Sequence, residues 1–175
     1  IAKKEGMESA LLTFDPHPRH VIYPDDQELR LINTISEKIE ALSKTGVQNL
    51  VIHKFTKEFS RTKSINFIRD FLVNKLNMKY MVVGSDHHFG KNREGTFDDL
   101  IELSDLYGFN IEEIELQILG EVTISSTKIR NAIKEGDFKK ANSYLSSDFS
   151  LKGKVVKGNK IGCSIGFPTA NIKIE

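Results

Sequence analysis

The sequence predicts an α/β fold with a doubly wound parallel sheet, followed by the start of a β-barrel. Short apolar segments rich in strand-forming residues alternate with segments whose apolar residues recur at helical spacing. Strands that alternate with helices are joined by right-handed crossovers, which makes them parallel. After residue 145 the helical period stops, glycines recur every few residues and apolar positions alternate, which is typical of a β-barrel.

The expected elements follow one another along the first 145 residues. Asp15 and Pro16 end the first strand, Asn33 or Thr34 caps the first helix, and Gly46 and Gly108 end helices. The predicted strands span residues 9–14, 49–53, 79–84 and 109–116. The predicted helices span residues 33–44, 64–76, 97–107, 125–134 and 137–145.

The two ends of the chain favour a division into two domains. Residues 1–6 resemble the last turn of a helix, and sheets of this class begin with a strand, so we expect an initial strand and most of a helix to be missing. Residues 1–147 are predicted to form the α/β domain. Residues 148–175 are predicted to begin the barrel, which the end of the chain cuts short.

Composition excludes several classes of protein. The 175 residues suffice for one domain, or for one domain and a fragment of a second. No apolar run approaches the about 18 to 20 residues of a membrane span, and the first residues lack the layout of a secretory signal. A single cysteine, Cys163, excludes an internal disulfide and favours a reducing compartment, so we expect a cytoplasmic protein.

Charge is unevenly distributed. The net charge of +1 argues against a nucleic-acid partner. Residues 95–121 carry eight acidic residues and no Lys or Arg, whereas residues 121–175 carry ten basic and five acidic residues. A basic region beside glycines and hydroxyls suits a phosphate-bearing small molecule, and a merely solvated basic tail is an equal alternative. The sequence does not indicate an oligomeric state.

Three segments at the carboxyl ends of predicted strands are candidates for a site, because ligands of open parallel sheets bind there. In the last of them, Ser126 and Thr127 begin a helix and Arg130 lies one turn later. Free backbone N–H groups, hydroxyls and a guanidinium favour phosphate at a helix start. An ordinary Ser/Thr helix cap is the alternative. The segments are 15–18, 84–90 and 124–130.

The segment 84–90 combines glycines with polar side chains. Gly84 permits close approach of the backbone to a ligand, and Asp86 can hold Mg²⁺ or a ribose hydroxyl. A tight turn between Gly84 and Gly90 with solvated histidines is the alternative. Clustered histidines raise the possibility of a zinc site, but their loops lack the usual ligand spacing. These histidines are His17, His20, His87 and His88.

These segments resemble, in order and spacing, three motifs of the FMN adenylyltransferase module of the prokaryotic bifunctional riboflavin kinase/FMN adenylyltransferase (FAD synthetase) family. A fourth motif, with Pro168, Thr169 and Asn171, resembles the start of the riboflavin kinase module of that family. The resemblance covers essentially the whole chain. The first three motifs are Thr13-Phe14-Asp15-Pro16-His17-Pro18, Gly84-Ser85-Asp86-His87-His88-Phe89-Gly90 and Ile124-Ser125-Ser126-Thr127-Lys128-Ile129-Arg130.

The resemblance implies a Rossmann-like nucleotidylyltransferase domain followed by a riboflavin kinase barrel. It implies phosphorylation of riboflavin by ATP to FMN, and adenylyl transfer from ATP to FMN, with Mg²⁺. It assigns catalysis to Arg130, Ser126 and Thr127, and metal binding to Thr169 and Asn171. It assigns substrate binding to His17, Pro18, Gly84, Asp86, Phe89, Gly90, Thr169 and Asn171.

The chain departs from the family pattern at both ends and at single positions. The first family motif, Gly-x-Phe-Asp-Gly-x-His-x-Gly-His, has no counterpart, and neither has the catalytic glutamate of the kinase, so we expect a fragment of a longer protein. Cys163 stands where the family often has Arg, and His88 where Arg or another polar residue is common.

Two other functions fit part of the pattern. Another ATP-dependent nucleotidylyltransferase shares the Ser-Ser-Thr-x-x-Arg arrangement, but it does not predict Gly166-Phe167-Pro168-Thr169-Ala170-Asn171 in a following barrel. A non-catalytic flavin- or nucleotide-binding module binds the same ligands and releases no pyrophosphate.

Overall fold

A computed structural model describes residues 1–26, 29–84, 87–114, 118–119, 122–159 and 161–174. It is a mixed α/β structure. The strands are β1 (Ala10–Asp15), β2 (Asn49–Lys54), β3 (Tyr80–Gly84), β4 (Asn110–Ile114), β5 (Ile118–Leu119), β6 (Val122–Thr123), β7 (Gly153–Val156) and β8 (Asn171–Ile174). The helices are α1 (Pro18–Ile22), α2 (Ile35–Ser43), α3 (Ser64–Asn66, continued by a π-helix over Phe67–Lys75), α4 (Phe97–Tyr107), α5 (Ser126–Lys134), α6 (Phe138–Leu145) and α7 (Ile161–Ser164).

The chain divides into two compact units. The first unit comprises Ile1–Arg30 and Val47–Ile124, and the second comprises Leu31–Gly46 and Ser125–Glu175. The domain boundary at residue 147 stays a prediction. None of the helices in the described ranges is long and apolar enough to cross a membrane.

The first unit contains two pairs of parallel strands. β1 pairs with β2, with Ala10 opposite Asn49, and β3 pairs with β4, with Tyr80 opposite Asn110. Parallel pairing is therefore confirmed. The described strands pair two by two, so one continuous doubly wound sheet stays a prediction.

The core of the first unit lies between α3, α4 and the β3–β4 pair. Ile68 and Leu100 are fully buried. The other members of the buried cluster are Phe67, Leu72, Val83, Phe89, Leu103 and Phe109. These residues lie on two helices, one strand and two loops, so the core fixes the end of β3 and the loop that follows it.

Local signals set the helix ends. Thr34 caps α2 through a capping box with Glu37, and Thr96 caps α4 through a capping box with Asp99. Gly108 ends α4 in the left-handed region at φ +66°. The predicted bounds of α2 and α4 are confirmed to within two residues.

The segment predicted as a helix over residues 64–76 is mostly a π-helix. The Leu76 N–H donates to the Phe71 carbonyl, five residues back, at 3.1 Å. The rings of Phe67 and Phe71 stack with their centroids 5.8 Å apart. The spacing of the apolar residues did not indicate a π-helix, because over two turns an α-helix and a π-helix bury nearly the same residues.

The second unit packs α5 against α6 through Ile129, Ala132 and Ala141, which are buried. β7 and β8 form an antiparallel pair with Gly153 opposite Ile174. The extended pattern predicted after residue 145 is confirmed for these strands. The short helix α7 between them was not predicted, and the barrel stays a prediction.

Candidate functional site

The loop after β1 begins with a short helix. A cis peptide bond joins Asp15 to Pro16, and His17 then caps α1, its Nδ1 accepting the Arg19 N–H at 3.2 Å. Pro18 is the first residue of α1, where its missing N–H costs nothing. His17 and Pro18 therefore start this helix, and their predicted substrate contacts stay a prediction.

Further contacts close the same loop. The Arg19 guanidinium lies 2.6 Å from an Asp26 carboxylate oxygen, and His20 Nε2 lies 3.2 Å from the Leu29 carbonyl oxygen. The rings of His17 and His20 are 5.7 Å apart. Within the described ranges, the structure contains no group of three or more His, Cys, Asp or Glu residues that could hold a metal ion.

The loop after β3 is tied back on itself. Gly84 is the last residue of β3, and Asp86 lies outside the described residues. Phe89 and Gly95 exchange two backbone hydrogen bonds, of 3.1 Å from the Phe89 N–H and 2.9 Å from the Gly95 N–H. A Cβ at Gly95 would lie 2.6 Å from Cζ of Phe89, so the ring rests directly on the glycine.

Phe89 and Gly90 have structural roles that the sequence did not reveal. Phe89 is 6% exposed and belongs to the core. Gly90 has φ +74°, and a Cβ there would lie 2.7 Å from Cα of Ser64. A larger residue at Gly90 would meet both the left-handed backbone and the start of α3. The predicted ligand contacts of Phe89 and Gly90 stay predictions.

An aromatic cluster in the first unit contains His53, which sequence analysis did not single out. The His53 ring lies 4.4 Å from that of Phe59 and 4.6 Å from that of Phe71, centroid to centroid. Burial, and then the nearby Lys75 charge, lower the pKa of His53. His53 lies directly opposite Phe14 in the β1–β2 register. The signal available in the sequence was that Phe14 and His53 are the last residues of two successive predicted strands.

The cluster extends from β1 to the loop after β3. Phe14 near the end of β1 contacts Phe59 at 5.6 Å, Phe59 contacts Phe67 at 5.9 Å, and Phe67 contacts Phe89 at 6.5 Å, all between ring centroids. Packed rings therefore run from the end of β1 to the loop after β3.

The start of α5 presents hydroxyls to solvent. Ser125 is the cap residue, with its Oγ accepting the Lys128 N–H at 3.4 Å. The phosphate contacts predicted for Ser126, Thr127 and Arg130 stay predictions. Ser126 and Thr127 form the first turn and are exposed, and Arg130 is half-buried one turn later. Ile129, between these residues in the sequence, is buried.

Thr169 and Asn171 meet at a cavity of about 160 Å³ in the second unit. A Cβ at Gly158 would lie 2.6 Å from Cγ of Asn171, and one at Gly162 would lie 3.0 Å from Oγ1 of Thr169. The two glycines thus permit both polar side chains to reach one space. The cavity is lined by Val155, Val156, Lys157, Gly158, Cys163, Thr169, Ala170 and Asn171.

The comparison with family models identifies the chain. Residues 1–128 match the model of FAD synthetase, and residues 145–175 match that of riboflavin kinase. The chain belongs to the FAD synthetase family. The first match contains the loops after β1 and β3, and the second contains the cavity with Thr169 and Asn171.

Curated relatives agree with this family. The bifunctional riboflavin kinase/FMN adenylyltransferase of Listeria monocytogenes is 37% identical over 175 residues, which are 100% of this chain and 55% of the relative. That of Escherichia coli K12 is 35% identical over 173 residues, 99% of this chain and 55% of the relative. The chain thus spans about half the length of these relatives.

A solved structure has a similar fold. A crystal structure described as that of a macrolide-efflux protein from Streptococcus pneumoniae superposes with a TM-score of 0.85 at 30% sequence identity. The match covers 99% of this chain and 56% of the pneumococcal chain.

Proposed function

We propose that the protein transfers the adenylyl group of ATP to FMN, which yields FAD and pyrophosphate, and that its last residues belong to a module that phosphorylates riboflavin. The observation that carries the proposal is the match of residues 1–128 to FAD synthetase. The exposed hydroxyls of Ser126 and Thr127, one turn before Arg130, support it, because they suit a polyphosphate.

In the proposed reaction, a phosphate oxygen of FMN attacks the α-phosphorus of ATP. The new P–O bond forms as the bond to pyrophosphate breaks, so no covalent enzyme intermediate is needed. Arg130 and the hydroxyls of Ser126 and Thr127 donate hydrogen bonds to the phosphate oxygens as negative charge moves onto pyrophosphate. Catalysis of this kind depends on positioning and on neutralisation of charge.

The cavity in the second unit fits a role in the kinase step. Thr169 and Asn171 supply a hydroxyl and an amide oxygen, both hard and neutral ligands suited to Mg²⁺ shared with nucleotide phosphates. When bound, Mg²⁺ would neutralise phosphate charge there. The part of these side chains is to hold the nucleotide against the cavity wall.

A reciprocal pair of substitutions tests the assignment. Arg130→Ala in the full-length protein removes a charge-assisted donor, so FAD formation from FMN should fall roughly a hundredfold, which corresponds to about 2.7 kcal/mol. FMN formation from riboflavin should be nearly unchanged. Lys134→Ala, which removes an exposed cation from the same helix, is the control. Equal loss of both activities would instead assign Arg130 to folding.

Asn171→Ala should have the opposite effect. FMN formation from riboflavin should be abolished, while FAD formation from supplied FMN should be nearly intact. Lys173→Ala, on the same exposed strand, is the control. A parallel fall in both activities would contradict the two-module assignment, and survival of FMN formation would make Asn171 a turn residue. Flavin binding by the wild type without pyrophosphate release would favour a non-catalytic binding module.

A further inference from the structure

The turn over residues 90–94, after β3, contains backbone that ordinary residues avoid. Asn92 has φ +54° and Arg93 has φ +59°, although neither is a glycine. Asparagine adopts this region more readily than other non-glycine residues, but for Arg93 it costs free energy and persists only where the surroundings enforce it. Such backbone is concentrated at binding and catalytic sites, so the turn is a candidate for function.

Contacts from both sides hold the turn against the start of α3. The Lys91 N–H donates to the Thr62 carbonyl at 2.8 Å, and the Ser64 N–H donates to the Glu94 carboxylate at 2.9 Å. Gly90 packs on the Ser64 backbone. These contacts fix the backbone of the turn, and thus the positions from which its side chains extend.

The turn carries two cationic side chains. Lys91 and Arg93 are exposed, and within the described residues neither forms an ion pair. The carboxylate of Glu94, in the same turn, accepts a hydrogen bond from the Ser64 N–H. The guanidinium of Arg93 and the ammonium of Lys91 are thus available to an anion from outside the chain.

The turn also lies where a ligand of this unit is expected. It belongs to the segment that leaves the carboxyl end of β3, and it directly follows the buried Phe89. Ligands of open parallel sheets bind outside the carboxyl ends of the strands. The substrates proposed above carry phosphate groups, and a planar guanidinium binds phosphate through two parallel hydrogen bonds.

We propose that Arg93, assisted by Lys91, binds a phosphate group of a substrate at the carboxyl end of β3, and that the strained turn serves to hold the guanidinium there. The phosphate is that of FMN or one of those of ATP. This inference rests on the proposed function and adds a binding residue to it.

Binding measurements on the full-length protein test the proposal. Arg93→Ala should weaken the binding of the phosphate-bearing ligand about tenfold or more, because a hydrogen bond to a charged group is lost. Affinity for FMN is compared with that for riboflavin by flavin fluorescence, and affinity for ATP with that for adenosine by calorimetry. Lys79→Ala, which removes an exposed cation just before β3, at its other end, is the matched control.

The outcomes distinguish the two sources of phosphate. Weaker binding of FMN with unchanged binding of riboflavin assigns Arg93 to the flavin phosphate. Weaker binding of ATP with unchanged binding of adenosine assigns it to the nucleotide. Unchanged binding of both, or an equal loss in Lys79→Ala, would overturn the proposal. Binding of neither FMN nor ATP by the wild type would instead refute the proposed function, and this inference with it.

Arg93→Gly separates binding from folding. Glycine adopts the left-handed backbone freely, so this variant should unfold at a temperature no lower than the wild type. It should nevertheless lose the same affinity as Arg93→Ala, since both lack the guanidinium. Wild-type affinity in Arg93→Gly would show that the side chain contacts no ligand.

Discussion

In the loop after β3, Phe89 packs in the same buried cluster as Ile68 and Leu100, whereas every residue of β7 and β8 is exposed. Both regions contain predicted site residues. In the first region, packing around Phe89 fixes the loop. In the second, Thr169 and Asn171 depend on a two-stranded sheet, and such a sheet is marginally stable in water.

Because the residues of β7 and β8 are exposed, polar contacts position the second region. The Lys152 N–H, one residue before β7, donates to one oxygen of Glu37 at 2.8 Å, and the Lys152 ammonium forms an ion pair with Glu40. The other oxygen of Glu37 accepts the Thr34 N–H at 2.8 Å. Hydrogen bonds from the Thr34 and Lys152 backbones lower the pKa of Glu37, against an opposing effect of burial. Glu37 thus joins the start of α2 to the start of β7.

The largest expected effect contrasts one residue from each region. Leu100→Ala should lower the free energy of unfolding by about 2 to 5 kcal/mol, because it leaves a cavity in a packed core. Ile172→Ala, at a side chain that is 53% exposed, should change it by about 0.5 kcal/mol or less. Denaturant unfolding followed by circular dichroism measures both. Similar losses would contradict the contrast.

The second effect concerns the pH dependence of the first region. The folded-state pKa of His53 is lowered, so the unfolded chain binds a proton first as the pH falls. Neutral His53 makes its full contribution to the free energy of unfolding above the pKa of about 6.5 that a histidine has in the unfolded chain. That contribution is lost as the pH falls through the lower pKa of the folded protein.

His53→Phe should therefore reduce the loss of stability between about pH 7.5 and about pH 5, because a phenyl ring cannot be protonated. Denaturation midpoints at several pH values measure this. His88→Gln, at an exposed loop histidine, is the control. An unchanged pH profile in His53→Phe would place the pH-sensitive group elsewhere.

The smallest effect concerns Glu37. A glutamine at this position has one side-chain oxygen, and it can serve the Thr34 N–H or the Lys152 N–H but not both. Glu37→Gln should lower the free energy of unfolding by about 1 kcal/mol or less. It should also speed amide hydrogen exchange at Lys152 and in β7, while Lys154→Ala should not. Unchanged exchange in Glu37→Gln would show that Glu37 does not hold this segment.

Several elements were predictable because their signals are local. Thr96 with Asp99, and Gly108 at the other end, determine the bounds of α4 through hydrogen bonds within a few residues. The parallel direction of β1 and β2 followed from the helical segment between them. The motif around Ser126 was visible in the same way, because a helix start is encoded in adjacent residues.

Other features depend on residues far apart in the sequence. The sequence by itself determined the α/β class, the order of β1 to β4 and of the longer helices, and the motifs that the FAD synthetase and riboflavin kinase models match. Only the tertiary structure decided that Phe89 rests on Gly95 inside the core, that His53 lies among phenyl rings, and that Glu37 holds Lys152. Composition and periodicity reflect interactions between residues that are close in the sequence. The partners of a buried ring or a bridging carboxylate depend on how distant segments pack together.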